Sequence, residues 1–285
     1  MIIKQSSVAI LLACVSSIYF STELRAETTS EQQGYNIAAA VDKKDSGFGD
    51  SNAKISMVLT SKMGEKTVRR LWLKILEDQQ NGDKSLVKFD FPADIRGVSL
   101  LTHPIKSRSD EQWLYLPTVN RVKRISSRNK SGAFVGSEFS FEDMTNKNLD
   151  DYNYKFIRTE ACSPTRAEIR QLANIKMQHT QLQYTQCDVI ERYPVDKHSG
   201  YTKQVVWVEK TDRKITRIDY YDRKKTLLKT FKTSEFKLYN EKYWRPTIVE
   251  MSNVQTGKKT SLEYSSITFT NGLSERDFHR SALGN

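Results

Sequence analysis

The sequence lacks most of the residues and strings that announce chemistry. Its 285 residues include four histidines, His103, His179, His198 and His279, and no His-Glu-x-x-His string or partner at i+4 makes any of them a metal ligand. No Gly-x-Ser-x-Gly elbow and no glycine-rich phosphate loop occurs. Asp42, Asp45 and Asp50 lack the alternating spacing and distal glutamate of a calcium loop, so a solvated turn accounts for them. No cofactor is implied, and there is no internal repeat or low-complexity segment. Long apolar runs are also missing. Val8 to Phe20 is interrupted by Ser16 and Ser17 and falls short of the roughly 20 residues that cross a bilayer, and no second run approaches it.

What stands at the N-terminus instead is a single early charge, Lys4, a short apolar core and the polar Ser21 to Ala26. That order predicts a secretory signal peptide over residues 1–26 with cleavage after Ala26, and therefore the periplasm of a Gram-negative bacterium. Leu11-Leu12-Ala13-Cys14 has the form of a lipidation site, but too little apolar chain precedes Cys14 for it to displace simple cleavage. The formal net charge is +11, and losing Lys4, Glu23 and Arg25 with the leader leaves +10. Such an excess suits an anionic membrane surface. Export argues against nucleic acid. Cleavage also leaves two of the three cysteines, Cys162 and Cys187, an even pair that reads as a disulfide in an oxidising compartment.

Residues Glu31 to Val41 have an apolar side at helical spacing and predict one helix, ended by the glycines of Gly47-Phe-Gly-Asp50. From Lys54 the period becomes two. Ile55, Met57 and Leu59 share a face, then Leu71, Leu73 and Ile75, then Val87, Phe89 and Phe91. The same grammar returns from Tyr201 to Thr270, punctuated at Asp212-Arg213, Asp222-Arg223, Asn240-Glu241 and Thr256-Gly257. Connections this short make the strands antiparallel, because a parallel crossover needs more chain. The expected fold is mainly β with a few helices, a strongly curved antiparallel sheet or barrel. Ser163-Pro164 interrupts it by opening a helical pattern, an insertion at about 163–186 clipped at its base by the two cysteines.

Large side chains recur on the strands: Trp72, Phe89, Phe91, Trp113, Tyr115, Phe139, Phe141, Trp207 and Trp244. They are candidates to line a ligand cavity, and a filled sandwich core explains them equally well. Basic Arg121, Lys123 and Arg124 have two readings of the same kind, contact with head groups or a partner, or a charge-blunted strand edge. Phe48-Gly49-Asp50-Ser51 resembles the first block of GDSL-type lipases, but polar loop precedes it and Asp277-Phe278-His279 has the wrong spacing for the partner histidine.

Several strings resemble, in order, one family. Gly47-Phe-Gly-Asp50 is followed by Phe91-Pro-Ala-Asp-Ile-Arg-Gly97, Trp113-Leu-Tyr-Leu-Pro117, Arg121-Val-Lys-Arg-Ile125, Gly136-Ser-Glu-Phe-Ser-Phe-Glu-Asp143 and Asp150-Asp-Tyr152. Cys187-Asp-Val-Ile-Glu191, Asp219-Tyr-Tyr-Asp222 and Trp244 to Asn253 complete the series. Together they resemble the LolA-like outer-membrane lipoprotein-sorting protein family, from about Gly34 to Leu283. The resemblance implies one domain over 27–285, an incompletely closed antiparallel β-barrel covered by helices over an apolar cavity. It also implies a carrier, not an enzyme, that holds lipid or lipoprotein acyl chains, with an inner-membrane lipid export transporter as a further partner. Arg96 and Arg121 fall within the family-like strings, as candidates for head-group or partner contact beside Lys123 and Arg124. The competing functions are a lipid-acting serine hydrolase using Ser51 and a docking module of a membrane transporter.

Overall fold

The computed structural model describes residues 28–105, 110–145, 148–162 and 185–284. The expected leader, with Cys14 and Ala26, and the helical pattern after Cys162 lie outside them. The described chain opens with helix α1 (Ser30–Asp45), whose first turn is capped by Thr29: its Oγ1 accepts from the Gln32 amide at 3.1 Å. Then come β1 (Asp50–Thr60), β2 (Lys66–Leu76), β3 (Lys84–Phe91), β4 (Ser99–His103), β5 (Glu111–Leu116) and β6 (Arg121–Ile125). After a series of 3-10 turns the strands resume as β7 (Tyr152–Ala161), β8 (Gln186–Pro194), β9 (Tyr201–Glu209), β10 (Ile215–Asp222), β11 (Leu227–Tyr239), β12 (Tyr243–Asn253) and β13 (Lys259–Phe269).

All thirteen strands form one antiparallel sheet in the order β6-β5-β4-β3-β2-β1-β13-β12-β11-β10-β9-β8-β7. It is two meanders, each built of hairpins, joined where β1 pairs with β13. The edges are β6 and β7, and no ladder connects them, so the barrel stays open. The chain that leaves β6 lies over the inner face before it reaches β7. There Phe134, fully buried, packs against Phe89 and Phe141 with ring centroids 5.7 Å apart in each case.

Strand alternation divides the apolar residues between two faces. Leu71 and Leu73 of β2 join Met57, Val87, Leu100, Ile190, Val206 and Met251 in the main core on the inner face. Outward from the same strands, Leu86, Leu101 and Trp113 pack on Phe278 and Leu283 of the C-terminal turns. A third cluster, also outward, holds Val189, Val205 and Trp207 with Cys162 and Cys187, which form the expected disulfide from the residue just after β7 to β8. Closing a loop of 25 residues in this way is worth about 3 kcal/mol in the chain-entropy model.

Helix α1 lies across β7. Gly34 makes this possible: a Cβ there would come within 2.8 Å of the backbone of Lys155 and Phe156. None of those atoms can rotate away. Tyr35, one residue on, meets Tyr154 edge-to-face at 6.0 Å. We predict that Gly34→Ala lifts the helix from β7 and costs about 1–3 kcal/mol of stability, measurable by urea unfolding; an unchanged midpoint would contradict the seating of the helix.

Candidate functional site

Between α1, the inner face of the sheet and the segment after β6 is an open cavity of about 550 Å3. The two sequence readings of the inner face both apply, to different parts of it. Toward β3–β5 the face is filled, by Phe89, Leu100 and the inserted Phe134. Toward β8–β13 it is hollow, walled by Val208, Ile215, Ile218, Phe231 and Leu262, with Ala38 and Val41 of α1 opposite.

The large residues named from the sequence separate accordingly. Phe139 and Trp244 line the cavity. Phe89 and Phe141 pack in the filled part of the inner core. Trp113 and Tyr115 point outward, against the C-terminal turns, and Trp207 points outward beside the disulfide. Trp72 also faces out, in a separate hollow of about 530 Å3 that includes Lys74, Lys88 and Arg276. Phe91 should share a face with Phe89 by alternation, but Asp90 drops out of the ladder, so Arg70 pairs with Phe91 while Leu71 pairs with Phe89. That bulge turns Phe91 outward, under the Arg70 guanidinium at 4.7 Å. A second irregularity works in the cavity's favour. Glu235 takes a left-handed φ of 54° and is left out of the β11–β12 pairing. Phe231 and Thr233 before it and Phe236 after it therefore all reach the cavity.

The basic candidates lie elsewhere. Arg121, Lys123 and Arg124 are exposed on the edge strand β6, with Arg124 paired to Glu111 at 2.7 Å. Arg96 donates to the Asp90 carbonyl at 3.1 Å in the β3–β4 connection. The charges at the cavity are ones that composition does not single out. Arg245 pairs with Asp45 at the end of α1 and lies 5.5 Å over the Phe48 ring. Lys214 lies 4.6 Å over the Trp244 ring and pairs with Asp212 at 2.8 Å. Burial pushes the Tyr264 hydroxyl on the cavity wall up to about 12, so it is a neutral phenol at physiological pH.

The lipase-like string serves the fold. The Asp50 carboxylate accepts from the Asn271 amide and side chain at 2.7 and 2.8 Å and from the Gly272 and Leu273 amides at 3.0 and 3.2 Å. It thereby fastens the turn that starts the C-terminal tail. Burial alone would raise its pKa, but these donors favour the ionised form and bring it below the usual carboxylate value. Ser51 is buried in β1, opposite Ile75 and Phe269, and among the described residues no histidine hydrogen-bonds to it.

A buried ion pair holds the segment after β6 against the sheet. Lys229 on β11 meets Asp143 at 2.6 Å, each side chain 5% exposed. The lysine also donates to the Glu138 carbonyl at 3.0 Å. Asp143 further accepts from the Ser140 amide and hydroxyl, both at 2.7 Å, and from the Tyr201 hydroxyl at 2.9 Å. Desolvation would raise the Asp143 pKa; Lys229 and the Ser140 donors outweigh it and hold the carboxyl below its ordinary value. Burial, with Asp143 beside them, drives the Tyr201 and Tyr220 hydroxyls well up.

A family model described as an uncharacterized protein matches residues 81–285. No curated protein matches the chain. Among solved structures, it is similar to an outer membrane lipoprotein-sorting protein domain from Vibrio parahaemolyticus, with 39% identity, a TM-score of 0.80, and coverage of 90% of this chain and 100% of that one. A DUF1329 family protein from Desulfovibrio piger is 28% identical with a TM-score of 0.78, again over 90% of this chain and all of that one. A LolA superfamily protein from Nitrosomonas europaea, at 19% identity and a TM-score of 0.66, covers 87% of this chain and 98% of that one and shares the fold.

Removing one partner of a buried ion pair strands the other. We predict that Lys229→Met costs about 3–5 kcal/mol at neutral pH in urea unfolding. Because the folded-state pKa of Asp143 is lowered, the pair's contribution is present above the unfolded carboxylate value of about 3.9 and is lost as pH falls through the lower folded value. The difference between the two proteins should therefore narrow in acid; a gap constant down to pH 2 would contradict this.

Proposed function

The chain belongs to the LolA-like outer-membrane lipoprotein-sorting protein family, and on that premise we propose that it is a periplasmic carrier whose cavity takes the acyl chains of a lipid or lipoprotein. The observation that carries the proposal is the hollow half of the inner face. A soluble domain gains stability by filling such a space, yet about 550 Å3 lined by Ile215, Ile218, Phe231, Val249 and Leu262 is left open. That volume falls within the usual range of small-molecule sites, roughly 300–1,000 Å3. Each methylene moved from water onto these side chains gains about 0.8 kcal/mol, so one long chain supplies most of the affinity without any polar contact.

The family premise extends to the chain's itinerary. We propose one carrier domain over 27–285, released by cleavage near Ala26. Its positive charge favours an anionic membrane surface, and a lipid-exporting transporter of the inner membrane is the proposed partner. The exposed Arg121, Lys123 and Arg124 on β6 provide a basic edge that suits either contact. The carrier reading stands ahead of hydrolysis because Asp50 and Ser51 are engaged in the sheet and the C-terminal turn.

We predict that purified protein takes up a fluorescent long-chain fatty acid and that Leu73→Trp, which adds bulk from β2 into the cavity, weakens uptake at least tenfold while the variant still unfolds cooperatively. Failure of the unmodified protein to take up the probe, together with lipid-free organic extracts of protein from its native envelope, would overturn the carrier reading. The hydrolase alternative is tested separately: ester cleavage that disappears in Ser51→Ala would establish it, and none is expected.

A further inference from the structure

One guanidinium on the cavity wall, Arg192, makes no ion pair with any described residue; Asp42 and Lys44 of α1, also in the lining, make none either. Arg192 projects from β8 into the cavity, two residues from the core Ile190 and on the same face. Lys214 and Arg245 at the same cavity are neutralised by Asp212 and Asp45, whereas Arg192 makes no ion pair with any described residue. Its Nε donates to Gln204 Oε1 at 2.7 Å, and its guanidinium carbon lies 4.6 Å over the Tyr152 ring. These two contacts fix the plane of the group and use one of its five N–H donors. The four on the terminal nitrogens have no acceptor among the described residues.

A cation on an apolar wall is costly unless paired, and an arginine held flat with its terminal nitrogens free has the geometry for a two-point contact with a carboxylate or phosphate. Tyr154, across the strand pair from Arg192, also lines the cavity. Burial raises the Tyr154 pKa well beyond its usual value, and its hydroxyl donates to the Leu149 carbonyl at 3.0 Å, so it brings no competing charge.

We propose that Arg192 is the anchor for the anionic head group of a single-chain amphiphile whose tail fills the cavity. The ligand class is then acidic, a long-chain carboxylate or an alkyl phosphate, drawn into the hollow by its tail and oriented by its head. This rests on the carrier reading and adds to it a polarity and a preferred end.

The test compares a fluorescent C18 carboxylic acid with its neutral methyl ester on the unmodified protein and on Arg192→Met, which keeps most of the side-chain bulk. The acid should bind the unmodified protein about tenfold or more tightly than the ester, and the substitution should remove that preference by weakening the acid alone. Arg192→Lys, which keeps the charge but loses the planar fork, should recover only part of it. Dodecyl phosphate competing with the acid in an Arg192-dependent way identifies a phosphate head as an equal occupant; competition by dodecanoate alone restricts the site to carboxylates. Equal binding of acid and ester to the unmodified protein, or equal loss of both in Arg192→Met, overturns the assignment and leaves the carrier reading intact. Uptake of neither probe by the unmodified protein overturns both.

Discussion

A lysine and an aspartate withdrawn from water, Lys229 and Asp143, set the terms for the rest of this structure. An antiparallel sheet whose two edges never pair cannot enclose its inner face by hydrogen bonds alone. The chain between β6 and β7 must do so, and it has little regular structure with which to hold itself in place. Its anchors are polar: Asp143 to Lys229, Tyr201 and Ser140, and Glu142 to Ser199 and Gly200 at 2.8 and 2.9 Å. Such contacts are directional. They fix where the cover lies over the sheet, which an apolar contact alone would leave free to slide.

That positioning divides the inner face. Phe134 enters the half built by β3–β5 and fills it, while Phe139, five residues later, lines the other half. Helix α1 closes the opposite side because Gly34 lets it approach the backbone of β7 and because Asp45, at its far end, pairs with Arg245. The hollow is therefore a consequence of two covers, each fixed against the sheet by its own contacts, Asp143 to Lys229 for one and Gly34 and Asp45 for the other. The lining, which also includes Asp42 and Lys44 of α1, carries one guanidinium, Arg192, without an ion pair among the described residues. Tail and head of an amphiphile have separate places to go.

Much of the fold was legible from periodicity. The strands from Ile55 to Phe89 and from Tyr201 to Thr270 follow the alternation and the turn residues between them, and the cysteine pair was explicit in the arithmetic. The cavity lining was less so, for a physical reason: size and aromaticity do not say which face a residue occupies. Trp72, Trp113 and Trp207 read as inner-face residues by bulk, but their odd or even place relative to Leu71, Leu114 and Val206 puts them outside. At Asp90 a register shift, and at Glu235 a left-handed φ, break the alternation itself, and neither leaves a clear mark on the hydrophobic pattern. The aliphatic lining, Ile215, Ile218 and Leu262, was masked by its ordinariness. Asp143 lay inside a family-like string, but its partner Lys229, 86 positions away, was one lysine among many.

The central claim is that the space between α1 and β8–β13 holds an acyl chain. It is tested most directly by crystals of the protein soaked with a terminally brominated long-chain fatty acid, in which bromine is located by its anomalous signal. The account predicts one peak inside the cavity among Ile215, Phe231 and Leu262, with the carboxylate at the Arg192 end. A peak found only in the outer hollow beside Trp72, or no ordered bromine in an occupied crystal, would contradict it.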